Sequence, residues 1–298
     1  MWGIFSLLLL VIMTGCAAVD TAPYTNTTAP ATDPLSSETT QPTGTKAPPD
    51  TRAGDDPDGD GLNTYHEREL LANASPCQMD IYVEIDWVNG TTPPSQAQLN
   101  ELAGTYADAP VQNPNGEQGI DLHLYLDEEV NETDRGGDIL YDYLRSENFD
   151  NAERGFHHAL IAPEGPGDGF GAGDPGHFVA QGTIQNESDR FALQVFAHEL
   201  GHSLGLTRRT FEGVDSVSYS YETYPSVMNY NGVHNSSTID FSNGNHSPDD
   251  HDDWQYLSEQ LYTPPTEELR QTDGKIPRNT TNCTQSFNRS GGNEAVPP

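Results

Sequence analysis

Lysine is nearly missing from this 298-residue chain, occurring only at Lys46 and Lys275. Lys plus Arg number 13 against 46 Asp plus Glu, for a formal net charge of −33. A surface so short of positive charge repels phosphate backbones and anionic lipid, which excludes a nucleic-acid binder and a polybasic membrane module. Cysteine is scarce too, with three in all. A zinc cage built from thiolates needs more, so any metal must be held by His and carboxylates. The apolar run Ile4 to Met13, broken by Ser6, is about ten residues against the roughly 20 that span a bilayer as a helix. With 34% hydrophobic residues and a mean hydropathy of −0.66, the chain reads as globular with a very polar surface. Its length allows one or two domains.

The two ends carry export signals. The apolar run followed by Thr14-Gly15-Cys16 resembles a lipobox, so residues 1–16 read as a lipoprotein-type signal peptide that ends at a lipidated Cys16. Residues 17–54 are rich in Thr, Pro, Ala and Ser without apolar periodicity, the composition of an extended stalk. Ten Asn-x-Ser/Thr sequons suit an exported surface protein, and residues 263–298 read as a polar C-terminal tail. With Cys16 lipidated, Cys77 and Cys283 are expected to form one disulfide that clips the tail to the start of the domain. High acidity with scarce Lys resembles the exported lipoproteins of salt-loving archaea, whose dense carboxylates stay hydrated in brine. The expected setting is extracellular: a monomer on the cell surface, touching the membrane only through its N-terminal lipid.

At the domain entrance, residues 55–71 contain Asp56-Pro57-Asp58-Gly59-Asp60-Gly61-Leu62 and, at the twelfth position, Glu67. This is an EF-hand-like calcium loop. Asp56, Asp58 and Asp60 supply carboxylates, Leu62 its backbone carbonyl, and Glu67 closes the shell with two oxygens. Stalk precedes the loop, so the incoming helix of an EF-hand is absent and a stabilising role is expected.

Residues 80 to 88 alternate apolar and polar, predicting a strand with Ile81, Val83, Ile85 and Trp87 on one face. Further elements are expected at 95–108 (helix), 119–126 (strand, with Ile120, Leu122, Leu124 and Leu126 inward) and 156–162 (strand). Residues 164–176 read as a turn-rich loop. The alternation argues for a mixed α/β, or α+β, domain over residues 77–262. Residues 188 to 206 are helical in pattern and contain His198-Glu199-Leu200-Gly201-His202. Two His four residues apart on a helix face one way, so both can ligate one zinc, and Glu199 is placed to act as general base on a metal-activated water.

Gly205 follows His202 by three residues, and Ser226-Val227-Met228-Asn229-Tyr230 lies downstream. Together these resemble the metzincin clan of zinc endopeptidases, reprolysin-like and pappalysin-like members in particular. The resemblance implies a twisted mixed sheet, an active-site helix and a smaller irregular C-terminal subdomain. It also implies Met228 as a platform under the metal and Tyr230 as transition-state support. A protein or peptide is then the expected substrate, with Zn2+ and Ca2+ as cofactors. The clan's third ligand falls three residues after the turn Gly, where this chain has Arg208, which cannot ligate. Asp215 is the first choice to replace it, with Glu212, Glu222, His234, His246 and His251 as rivals. The alternative is a defective site in a non-catalytic surface-binding lipoprotein.

Overall fold

Strand β1 runs Asp80–Val88, as the alternation predicts, and is buried along almost its whole length. The computed structural model describes residues 55–69, 71–131, 148–163, 165, 170–182, 189–235 and 237–266. Cys16, Cys283, the stalk and the tail beyond 266 lie outside the described residues. Cys77 is disulfide-bonded.

On either side of β1 lie β2 (Asp121–Val130) and β3 (Phe156–Ala162), both parallel to it. Parallel neighbours need a crossover, and helix α2 (Gln96–Ala107) supplies the one between β1 and β2, after the short α1 (Thr64–Glu69) of the entrance loop. The start of α2 is specified locally. Ser95 is its N-cap, the Ser95 hydroxyl accepts from the Gln98 amide, and the Gln98 side chain accepts from the Ser95 amide at 2.8 Å. Leu99, Leu102 and Tyr106 then turn inward onto Ile81, Val83 and Ile85.

The sheet continues beyond β3 with β4 (Gly171–Asp174) and β5 (His177–Gln181), in the order β2-β1-β3-β5-β4. All neighbours are parallel except β4, which closes the edge antiparallel to β5. This mixed, mostly parallel sheet with helices on it is the α/β class expected. Two details differ. Strand β4 lies inside a segment expected to be loop, because its Gly-Ala-Gly-Asp sequence has no apolar alternation. Leu126, expected inward, is 38% exposed, since β2 is an edge strand with only one paired side.

Helix α3 (Asp189–Ser203) packs on β4 and β5, burying Phe191, Val195, Phe196 and Leu200. It ends in a Schellman turn: the Leu206 amide reaches the Gly201 carbonyl at 3.0 Å and the Gly205 amide the His202 carbonyl at 2.9 Å. Gly205 adopts φ 104°, a conformation that a side chain would strain. The described residues from there to 266 are largely irregular, with the helices α4 (Tyr230–Asn235) and α5 (Asp253–Gln260). It is held to the core by Tyr106, whose ring meets Phe241 and Trp254 edge-on at 5.8 and 5.2 Å. Among the described residues no helix is long and apolar enough to cross a membrane.

Candidate metal and active site

One turn apart on α3, His198 and His202 face the same way, and hydrogen bonds determine which ring nitrogen carries the proton. His198 Nδ1–H donates to the Val227 carbonyl at 2.8 Å, and His202 Nδ1–H to the Leu206 carbonyl at 2.7 Å. A carbonyl can only accept, so in the neutral rings both Nε2 atoms present lone pairs. These two atoms are 3.2 Å apart, and Asp215 Oδ1 lies 3.1 Å from the first and 3.0 Å from the second. Burial alone would raise the Asp215 carboxyl, but the hydrogen bonds from both rings hold it well below the usual carboxylate range. Burial disfavours charge on His202, yet the hydrogen bond and charge of Asp215 outweigh it and push the ring up to about 9. Without a metal, a proton must therefore hold the three electron-rich atoms together. Tetrahedral zinc with bonds of about 2.0–2.1 Å places its ligands about 3.3 Å apart, so the donor set fits that ion in kind and in spacing.

Asp215 reaches the histidines because the chain loops out after Gly205 and is tied on return. Arg208 donates from Nε to the Val214 carbonyl at 3.2 Å and from Nη2 to the Asp215 carbonyl. The Asp215 amide donates to the Met228 carbonyl at 3.0 Å, and the residue adopts φ 54°, a left-handed conformation that Asp tolerates better than most. Val214 is fully buried, and Phe211 is stacked at 4.8 Å on His251, one of the rival ligands. The other rivals are engaged elsewhere or stand apart. Glu212 accepts from the Tyr219 hydroxyl, His246 pairs with Asp250, and Glu222 is exposed. The side chain of His234 is outside the described set. Arg208, which looks in sequence like the loss of a ligand, braces the loop that brings Asp215 to the two histidines.

Met228 is fully buried, with its sulfur against the helix at Gly201, where an added Cβ would fall 2.3 Å away. The turn carrying it is anchored by Asp253, which accepts from the Ser226 hydroxyl at 2.6 Å, the Tyr224 hydroxyl at 2.8 Å and the Ser242 amide at 3.1 Å. Burial nonetheless pushes the Asp253 carboxyl up to about 7. Nothing in the acidic run Asp249 to Asp253 marks this residue as the buried one; the donors that neutralise its burial cost come from residues far along the chain. Tyr230 stacks on His198 with ring centres 5.6 Å apart.

Glu199 is buried beside the histidines, and burial raises its carboxyl while His198 and His202 oppose the rise. Strand β4 lies directly on it. A Cβ at Gly171 would come within 2.6 Å of the Glu199 side chain, and one at Gly173 within 2.7 Å of the Glu199 carbonyl and His202 Cβ. The glycines that hide β4 from sequence patterning are what let an edge strand approach the helix this closely.

The entrance loop folds around its acids. Asp56 accepts from the amides of Gly59 at 2.7 Å and Gly61 at 3.1 Å, and Asp60 from that of Leu62 at 2.7 Å. The carboxylates of Asp56, Asp58 and Asp60 come within metal-sharing distance of one another, and so do those of Asp60, Glu67 and Asp80. Burial, reinforced by the neighbouring acids, pushes Asp58 up to about 8 and Glu67 to about 10. Asp58 Oδ2 and both Glu67 oxygens are buried with no hydrogen-bond partner among the described residues. Such a set of oxygens fits a hard divalent cation. A further buried group, Glu84, Asp86 and His158 on β1 and β3, also brings donor atoms together and has no counterpart in the sequence reading.

No protein-family model matches the chain. A stretch of 100 residues is 38% identical to interstitial collagenase A of Mus musculus, covering 33% of this chain and 21% of that protein. The chain thus spans about a fifth of the length of the curated relative it matches. A solved structure described as a chaperone–substrate complex aligns over 70% of this chain and 34% of its own, with a TM-score of 0.37 and 13% identity, a likeness too distant to bear on the fold.

Proposed function

We propose that the protein is a zinc-dependent endopeptidase, with His198, His202 and Asp215 as the metal ligands and Glu199 as general base. The observation that carries it is the convergence of two Nε2 lone pairs and one carboxylate oxygen at 3.0–3.2 Å, both ring tautomers being set by backbone carbonyls. The local likeness to a protein named as a collagenase agrees with this at the coarser level of a metalloprotease.

Zinc, when bound, supplies Lewis-acid polarisation of a carbonyl and acidifies water. The chain's residues do the rest. Glu199, raised by burial, takes a proton from the attacking water and passes it to the departing amine nitrogen. The Val227 and Leu206 carbonyls keep the two rings oriented, and Tyr230, which stacks on His198, would support the developing oxyanion. The entrance loop takes calcium through Asp56, Asp58, Asp60, the Leu62 carbonyl and Glu67, in a stabilising role supported by the buried unpartnered oxygens. Export, lipid anchoring at Cys16 and a monomeric state join the proposal from the sequence reading alone, and the Cys77–Cys283 bridge joins it with the support that Cys77 is disulfide-bonded.

The test is zinc content and casein hydrolysis at molar salt. Zinc near one per chain, with hydrolysis abolished by Glu199→Ala while zinc is retained, is the expected result. Folded protein that takes up no zinc and hydrolyses nothing after zinc addition overturns the proposal and leaves a non-catalytic surface-binding protein.

A further inference from the structure

The entrance loop supplies four carboxylates from its own sequence, and the fold adds a fifth. Asp80, the first residue of β1, is 1% exposed, and its carboxylate approaches those of Asp60 and Glu67. Its backbone amide donates to Asp60 Oδ2 at 2.9 Å, which fixes the register between loop and strand. Glu67, also 1% exposed, points both oxygens into this space with no hydrogen-bond partner among the described residues. A buried ionised carboxylate without partners costs several kcal/mol, on the order of what no domain retains without compensation. Protonation would relieve one acid; a cation relieves all of them at once.

Resting on the calcium assignment of the loop, we propose that Asp80 is an additional ligand of the same ion, which therefore joins the loop to strand β1 of the sheet. The Asp80 carboxylate is oriented as metal-ligating carboxylates are. Oδ1 accepts from His123 Nε2 at 2.5 Å and Oδ2 from the Ser75 amide at 2.9 Å, and each oxygen keeps a lone pair. His123 belongs to β2 and is itself held by stacking on Tyr82, with ring centres 4.3 Å apart. One ion thus ties α1 to β1 directly and to β2 through the His123 ring. The connection extends to the other metal centre. The Thr263 hydroxyl donates to the Asp60 carbonyl, and the adjacent Tyr262 amide to the Leu204 carbonyl at 3.0 Å, two residues beyond His202.

A loop complete in itself would bind calcium equally well without Asp80. Calcium titration of the full chain by calorimetry, together with the hydration number of bound Eu3+ from its luminescence lifetimes in H2O and D2O, separates the two cases. Asp80→Ala is expected to weaken calcium binding at least about tenfold and to admit one more water to the lanthanide. Glu129→Ala, which removes an exposed charge on β2, is expected to change neither. Should Asp80→Ala not fold, Asp80→Asn keeps the size and one oxygen and should still weaken calcium. Unchanged affinity and hydration in the Asp80 variant overturn the inference while calcium binding stands. Failure of the unmodified chain to bind calcium overturns the calcium assignment beneath it.

Discussion

Two of the side-chain clusters that could hold a metal, on helix α3 and in the entrance loop, solve opposite problems. At the α3 site, two imidazoles and one carboxylate converge, so the formal charge of the donors is low. The rings are held on a helix, and backbone carbonyls choose which nitrogen faces inward. At the entrance loop, Asp56, Asp58, Asp60, Glu67 and Asp80 bring only oxygen; burial with mutual repulsion raises Asp58, Asp60 and Glu67, and burial raises Asp80 against the opposing hydrogen bonds of His123 and Ser75. The first arrangement suits a borderline ion with few ligands and strict angles; the second suits a hard ion with many ligands and loose ones. In a chain of net charge −33, acids are abundant everywhere, so abundance cannot mark either site. Burial without partners marks the loop, and convergence of lone pairs marks the helix.

The sharpest way to break this comparison is to delete one carboxylate from each cluster and measure both metals. Asp215→Ala leaves two imidazoles. It is expected to lower zinc affinity by more than the roughly 10–100-fold that outer-sphere partners are worth, with loss of hydrolysis and calcium binding unchanged. Asp58→Ala is expected to do the reverse, weakening calcium while zinc stoichiometry stays near one. Zinc retained at full affinity in Asp215→Ala would remove that residue from the ligand set.

A smaller effect separates the clusters by pH. Asp58 and Glu67 have folded-state values of about 8 and about 10 against ordinary values of 3.8 and 4.5. A carboxyl raised by folding contributes stability that is complete below its unfolded value and is lost as pH rises through the folded one. Calcium-free protein should therefore lose stability steadily from about pH 4 through 8 and on toward 10. At neutral pH, calcium at a hundred times its Kd should add about 2.7 kcal/mol, raising Tm by roughly 5–10 °C in a domain of this size. Thermal melts in EGTA and in excess calcium across that range check both statements. A calcium-free melt that does not decline with pH would mean the acids are not buried together.

What could be read in advance follows the range of the interactions. The α3 helix, its two histidines and Glu199 are legible because a 3.6-residue period and an i, i+4 pair are local. The acids of the entrance loop are legible for the same reason, as spacings within twelve residues. Asp80 is not, because it joins that cluster only when β1 docks against the loop. Asp253 is hidden in an acidic run that gives no sign of which member Tyr224, Ser226 and Ser242 will bury. Strand β4 was missed because the glycines required by its contact with Glu199 and His202 erase the alternation that identifies a strand.

Arg208 sharpens the comparison most finely, since it belongs to neither donor set and braces one of them alone. Its guanidinium spans the carbonyls of Val214 and Asp215, so it can hold Asp215 near the histidines only by fixing that peptide's position. Lysine keeps the charge but not the planar fork, and an exposed ammonium cannot hold two carbonyls in fixed geometry. Arg208→Lys is expected to weaken zinc about tenfold, in the range for residues that orient ligands, with no change in calcium affinity. Because Asp215 itself remains, saturating zinc should restore hydrolysis, which it cannot do in Asp215→Ala. The zinc-free melting temperature should also be unchanged, because an exposed side chain contributes little to packing. A titration of Co2+, followed by its visible absorption as a stand-in for zinc, reads the affinity without relying on turnover. Equal Co2+ affinity in Arg208→Lys and the unmodified chain would show that half-buried Phe211 and buried Val214, on the same loop, place Asp215 by themselves.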